Sequence, residues 1–346
     1  MDNLIGTSMP RLRDFFSQFG EKPYRVGQVL NWVYHYGVRD IDAMNNLSKV
    51  MRSRLREHFY IGLPQIRERT PSRDGSIKYL LEMEDGARVE SVWMPSGPRK
   101  TLCVSTQVGC RINCSFCMTA TMGLKRNLTA GEIIGQTLAI NEDLKEEDRV
   151  TNVVLMGMGE PLDNYDNLVE ALKLMISPEG MRISQRKVTV STSGLVDKIR
   201  KFQEENLHVN LAISLNATDN ETRNRLIPIN RKYPIEALMD CLREYRLKPQ
   251  RRLTFEYILL KGINDSDEDA RRLARLLEGF ACKINLIPFN PFEPSEFEPP
   301  EEKRVLEFQN FLIAKNFSTF VRKNRGADIL GACGQLAAQP LSCTTP

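Results

Sequence analysis

Residues 102–117 read Leu102-Cys103-Val104-Ser105-Thr106-Gln107-Val108-Gly109-Cys110-Arg111-Ile112-Asn113-Cys114-Ser115-Phe116-Cys117, a β-rich run that passes into a loop bearing three cysteines. The C-x3-C-x2-C spacing gathers three thiols on one short loop. Thiolates are the usual protein ligands of iron–sulfur cubes, which normally take four of them. Three would leave one iron open to a small molecule. The same trio can hold zinc with a fourth ligand from elsewhere. Zinc sites favour paired C-x2-C knuckles, however, and only Cys114 and Cys117 make one, while His35, His58 and His208 stand at no ligand spacing. The spacing favours the cluster and leaves zinc open.

Downstream of the loop, short β-rich runs alternate with helical patterns. Strands are expected at 102–106, 152–156, 187–191, 209–215, 253–259, 283–288 and 318–322, with helices such as 129–142, 167–176, 234–245, 267–277 and 301–315 between them. Strand–helix repetition of this kind predicts a parallel sheet with helices outside. Six units are too few for a closed eight-fold barrel, so the fold class is α/β, an open partial (β/α)6 barrel with its site at the C-terminal strand ends. Upstream, residues 1–75 form a small helical domain with apolar positions at helical spacing, as in Val26-Gly27-Gln28-Val29-Leu30-Asn31-Trp32-Val33. Residues 76–99 hold a β-hairpin around Asp85-Gly86 and a linker at 95–98. The core spans 100–335, and 336–346 is a tail.

Composition narrows the class. The 346 residues are 41% hydrophobic and 27% charged, enough for a substantial core. No stretch approaches the ~18 apolar residues of a membrane span, and Met1-Asp2-Asn3-Leu4 has no signal-peptide character. Eight cysteines in such a chain point to metal or redox chemistry in a reducing, cytoplasmic setting rather than to a disulfide framework. The net charge of +4 permits a nucleic-acid partner. Basic clusters (Arg182, Arg186 and Lys187; Arg223, Arg225, Arg231 and Lys232; Lys248, Arg251 and Arg252) suit phosphate contacts without specifying sequence.

Polar residues close several expected strands: Gly157-Met158-Gly159-Glu160-Pro161, Ser191-Thr192-Ser193-Gly194, Ser214-Leu215-Asn216, and Asn290 in Phe289-Asn290-Pro291. With the cysteine loop they predict one pocket. The run from Cys103 through the cysteine loop, Gly157-Met158-Gly159-Glu160-Pro161-Leu162 and Ser191-Thr192-Ser193-Gly194, together with Val89-Glu90-Ser91-Val92, Ile227-Pro228-Ile229-Asn230 and Arg325-Gly326-Ala327-Asp328-Ile329-Leu330-Gly331-Ala332-Cys333-Gly334-Gln335-Leu336, resemble the RlmN/Cfr family of radical S-adenosylmethionine (SAM) adenosine methyltransferases along essentially the whole chain. Pro161 and Ser193 side with the RlmN branch; Cfr typically has Ala and Ile there. Asn216, where His is usual, and Met118, where a small residue is commoner, depart from the pattern.

The resemblance implies a 4Fe-4S cluster on Cys110, Cys114 and Cys117, and two SAM molecules per turnover. Gly159, Glu160, Ser191, Ser214, Leu215, Asn216 and Asn290 would contact SAM. It implies methylation of carbon 2 of one adenosine in 23S rRNA, before ribosome assembly, and of the adenosine beside the anticodon of some tRNAs. The alternatives are carbon-8 methylation of the Cfr kind and a non-catalytic zinc protein that binds RNA. Cys333 would carry the methyl group, Glu90 would take the carbon-2 proton, and Cys103 would resolve a protein–RNA adduct, leaving a disulfide for an external thiol reductant. A one-electron donor such as flavodoxin or ferredoxin is implied, as is a monomer with no membrane partner. Cys241 and Cys282 read as core, and Cys343 as incidental.

Overall fold

The computed structural model describes residues 1–338, so Cys343 and the rest of 339–346 lie outside it. A short parallel pair, β1 (Asp2–Asn3) and β2 (Phe59–Tyr60), closes a helical unit of α1 (Met9–Gln18), α2 (Tyr24–Tyr34) and α3 (Lys49–His58). Each of α1 and α3 starts at a serine whose hydroxyl accepts a first-turn N–H, Ser8 from Arg11 and Ser48 from Met51. Leu12, Phe16, Val29, Leu30, Val33 and Leu55 bury one stripe of each helix.

The remaining chain builds on a ten-stranded sheet. In chain order the strands are β3 (Gln65–Pro71), β4 (Ile77–Glu82), β5 (Arg88–Ser96), β6 (Arg99–Cys103), β9 (Asn152–Leu155), β10 (Val188–Thr192), β11 (Asn210–Ser214), β12 (Leu253–Leu259), β13 (Cys282–Pro288) and β14 (Ser318–Val321). A separate two-stranded pair, β7 (Gln107–Val108) and β8 (Arg126–Asn127), underlies the cysteine loop. Strands β6 and β9 to β14 run parallel in sequence order, while β3 to β6 are antiparallel.

Between the parallel strands lie α5 (Ala130–Asp143), α6 (Tyr165–Ile176), α7 (Val196–Glu204), α8 (Asn220–Leu226) followed by α9 (Ile235–Glu244), α10 (Asp267–Leu276) and α11 (Glu302–Ala314); α4 (Met118–Thr121) follows the cysteines. Thr129 with Glu132, and Ser266 with Asp269, form capping boxes that start α5 and α10. Every residue of β12 is buried, as expected of a strand covered on both faces. The sheet stays open, with β14 and β3 at its edges. This is the expected partial (β/α)6 barrel, and its last parallel strand, β14, falls where the sequence placed one at 318–322.

Two sequence expectations shift. The 95–98 stretch is the turn of a second hairpin, with Ser96 opposite Arg99, rather than a linker. Gly97, at φ +56, supplies the left-handed residue that lets the chain reverse. The hairpin around Asp85-Gly86 is therefore continuous with the barrel sheet. The first barrel strand also ends three residues early, at Cys103, because Thr106 and Gln107 leave it to support the cysteine loop. Gly131 in α5 lets the N-terminal unit dock backbone to backbone: a Cβ there would lie 2.2 Å from the Ile5 carbonyl oxygen.

Candidate active site

The cysteine loop is held from three sides. At its base, Cys110 N–H donates to the Gly123 carbonyl at 3.2 Å. Gly109, at φ +78, presses so close that a Cβ would stand 1.7 Å from the same oxygen. Asn113 turns the loop at φ 61, and Ser115 N–H donates to Leu226 O at the end of α8 at 3.0 Å. Ile112 and Phe116 anchor it in a small apolar cluster with Leu226, Ile227, Phe289 and Phe292, against which the three cysteines pack. Burial pushes the Cys110 thiol up to about 12 and raises those of Cys114 and Cys117. Uptake of metal by these thiols must therefore release protons.

The loop faces an open cleft of about 930 Å³ at the C-terminal ends of the parallel strands. Gly159, Glu160, Ser191, Ser214 and Asn216 line it. Gly159 takes φ +99, and a Cβ would meet Gln107 Cβ at 2.5 Å, so only glycine fits. Glu160 is 4% exposed, and its Oε2 accepts from Ser193 N at 2.7 Å and Ser193 Oγ at 2.8 Å. Burial raises its pKa, although these hydrogen bonds oppose the shift. Asn216 sits at φ 56 with its Oδ1 already accepting from Ile258 N at 2.8 Å. Leu215 is buried and absent from the cleft wall; its carbonyl accepts from Arg223 Nε at 3.0 Å.

A second cleft of about 750 Å³ adjoins the first, sharing Cys117, Thr119, Met156, Arg322 and Cys333. Cys103 and Asn290 line it, and Arg322, Lys323 and Arg325 make it basic. Cys333 exposes its side chain to these clefts, yet their walls surround the thiol and desolvate it, raising its pKa; the Arg322 charge acts in the opposite sense. Burial pushes Cys103 up to about 12, and Cys333, which lines the same cleft, adds to the shift. All seven cysteines among the described residues are free.

Backbone and side-chain bonds seat the Cys333 segment. Met118 N–H donates to Gly334 O at 2.7 Å, Thr119 Oγ1 to Leu336 O at 2.5 Å, Asn290 Nδ2 to Cys333 O at 3.0 Å, and Gln335 Nε2 to Pro291 O at 2.8 Å.

Glu90 stands apart from the other candidates and lines neither cleft. Its Oε1 pairs with Lys78 Nζ at 2.9 Å and its Oε2 accepts from Ala337 N at 2.9 Å, with the carboxylate beneath the C-terminal segment. Sequence reasoning missed Lys78, Arg322 as a cleft residue, Thr119 and Glu256. Glu256 lines the first cleft, and its signal was one acid within the apolar run Leu253-Thr254-Phe255-Glu256-Tyr257.

These donors fit the groups implied by the sequence. Three thiols and a buried carboxylate line the first cleft, and Asn290 Oδ1, on the second, is buried with no partner among the described residues.

An open parallel barrel whose cysteine loop faces a glycine-lined cleft defines a radical SAM enzyme. Residues 104–274 match the Radical SAM superfamily, and residues 2–61 match the ribosomal RNA large subunit methyltransferase N-terminal domain. Dual-specificity RNA methyltransferases RlmN of Paracoccus denitrificans and Syntrophotalea carbinolica are each 48% identical to this chain, covering 96% of it and 89% of their own length. A radical SAM methyltransferase from Sphaerobacter thermophilus superposes with a TM-score of 0.91 at 41% identity, covering 98% of this chain and 100% of that one. The chain belongs to the RlmN family of radical SAM methyltransferases, which sets aside the non-catalytic zinc reading. Among the described residues no helix is long and apolar enough to cross a membrane.

Proposed function

We propose that this chain methylates carbon 2 of adenosine in 23S rRNA, before ribosome assembly, and in tRNA, consuming two SAM molecules per turnover and carrying the methyl group on Cys333. One observation supports this above all. Cys333 stands where the cysteine-loop cleft meets the basic cleft, with Cys103 on the wall of the latter.

Adenine carbon 2 is electron-poor, and a SAM methyl group is an electrophile, so direct polar transfer is mismatched. When bound, the cluster and SAM supply a carbon radical able to take hydrogen from a methyl group. Cys110, Cys114 and Cys117 hold the cluster. Gly159, Glu160, Ser191, Ser214, Leu215, Asn216 and Asn290 hold SAM, with the Leu215 carbonyl already accepting from Arg223.

Cys333 takes up the methyl group as a thiolate. Arg322 favours this ionisation against the effect of burial. Once the methylene carried on Cys333 is bonded to carbon 2, and the ring has given up one electron and the carbon-2 proton, Cys103 attacks the Cys333 sulfur. The sulfur–carbon bond breaks toward the ring, the freed carbon takes a proton to become the methyl group, and an external thiol reduces the resulting disulfide. Glu90 takes the carbon-2 proton, which requires the Ala337 amide to release Oε2 and the tail to lift. Arg322, Lys323 and Arg325 meet RNA phosphates, and the target base leaves its stack to enter the second cleft.

The carbon-2 assignment over carbon 8 rests on the resemblance at Pro161 and Ser193. An Ile at the latter would forfeit the hydroxyl bond to Glu160. A one-electron donor of the flavodoxin or ferredoxin type supplies reducing power, and the protein acts as a cytoplasmic monomer. The test is anaerobic turnover on unmodified transcripts with mass spectrometry of the nucleosides. 2-Methyladenosine is expected, while 8-methyladenosine would overturn the assignment.

A further inference from the structure

Arg223 has no exposed surface, the largest side chain so enclosed among the described residues. Among the described residues it forms no ion pair with any carboxylate. Its guanidinium donates only to neutral oxygens: Nε to Leu215 O at 3.0 Å, Nη1 to Asn230 Oδ1 at 2.8 Å, and Nη2 to Ser193 O at 2.6 Å and Ser214 O at 3.3 Å. Those oxygens solvate the charge without neutralising it. Burying a cation with no anion is costly enough that proteins usually supply a partner. The buried Lys78, by contrast, has Glu90.

The surroundings show where an anion would stand. Arg223 belongs to α8, whose last carbonyl accepts from Ser115 between two of the cysteines. Leu226 and Ile227 pack with Ile112 and Phe116 against Cys110, Cys114 and Cys117. Burial lowers the Arg223 pKa to about 10, and a negative charge on Cys114 acts to restore it. Glu160 binds the N–H and hydroxyl of Ser193, the residue whose carbonyl Arg223 holds, so the two charges do not touch.

We infer that Arg223 is the fixed counter-charge of the iron–sulfur cluster and sets its reduction potential, a role that rests on Cys110, Cys114 and Cys117 being the cluster ligands. A cube held by three thiolates is anionic, and one-electron reduction by the external donor adds a further negative charge. Net charge around a cluster sets its potential. A buried cation behind the ligand loop therefore stabilises the reduced form and eases electron entry. Arg223 does not touch the reacting atoms; it is a positioning and tuning residue.

The experiment is an anaerobic potentiometric titration, followed by electron paramagnetic resonance, of reconstituted wild type, Arg223→Met and Arg223→Lys. The Met protein should bind the cluster but be reduced at least tenfold less favourably, about 59 mV lower for a one-electron couple. The Lys protein, which keeps the charge and loses the fork of hydrogen bonds, should stay near the wild type. Equal potentials in wild type and Met protein would overturn the inference and leave Arg223 a purely structural tie. A Lys protein as low as the Met protein would overturn it too. If the Met protein fails to fold, Arg223→Gln, which removes the charge and keeps an amide donor for Ser193 or Asn230, takes its place with the same expected and overturning results. Failure of the wild type itself to bind a cluster would instead refute the ligand assignment.

Discussion

Replacing Lys78 with Met removes one half of a buried ion pair and leaves the other half in place. The side chains of Lys78 and Glu90 are only 7% and 3% exposed, and their charged atoms lie 2.9 Å apart. After the substitution Glu90 keeps a single donor, the Ala337 amide. Breaking a buried pair from one side costs about 3–5 kcal/mol, whereas exchanging both partners for neutral groups is often close to neutral. Lys78→Met should therefore lose about 3–5 kcal/mol in urea unfolding of the apo-protein, roughly a hundred- to several-thousand-fold in the folding equilibrium. Lys78→Met with Glu90→Gln should recover most of that loss. The four proteins close a double-mutant cycle that isolates the pair. Because the pair lies under the tail, the Lys78→Met protein should also be cleaved faster by protease within 330–337. A loss below about 1 kcal/mol, the worth of an exposed pair, or strictly additive single variants would refute the claim that this pair is a buried anchor.

Cys103→Ala should accumulate a covalent protein–RNA adduct on denaturing gels and Cys333→Ala none; release of methylated RNA by Cys103→Ala at the parent rate would return Cys103 to the core. Gly109→Ala should abolish iron uptake while leaving far-ultraviolet dichroism near the parent, because its Cβ meets a backbone oxygen that cannot swing aside. Iron and sulfide assays after reconstitution decide that. Stability of the apo-protein should fall as pH rises above 9. The unfolded Cys103 thiol ionises near 9.0 while the folded one holds its proton to about 12, so the native state binds more protons across that window. A urea midpoint that stays flat or rises from pH 8 to pH 10 would contradict the sign.

What was legible in the sequence is what is local. Three cysteines within eight residues announce a ligand loop without any tertiary information, and the capping residues Thr129 and Ser266 mark helix starts on the same scale. The strand–helix alternation gave the barrel because each unit carries its own period. The Lys78–Glu90 pair was hidden for a different reason. Both strands and their turn were foreseen, but the register, with Lys78 opposite Val92 and Leu80 opposite Glu90, brings the two charges together diagonally on one face. Arg223, grouped in the sequence with residues suited to phosphate contact, is enclosed and cannot serve there; it and Glu256 were hidden because a charged residue ordinarily reads as solvated, and only packing reveals that it is enclosed. The turn at 95–98 was read as a linker because Pro and Gly punctuate both, and only pairing across it tells them apart.

The bonds that seat the Cys333 segment tie two events that chemistry treats as separate. Met118 and Thr119, which grip Gly334 and Leu336, follow directly after Cys117 on the same turn of chain. Whatever straightens or loosens the ligand loop therefore alters the hold on the tail, and the tail in turn bears on the loop. Thermodynamic reciprocity makes the coupling equal in both directions: if a filled loop favours the seated tail over the open one by some factor at equilibrium, opening the tail weakens metal affinity by that same factor.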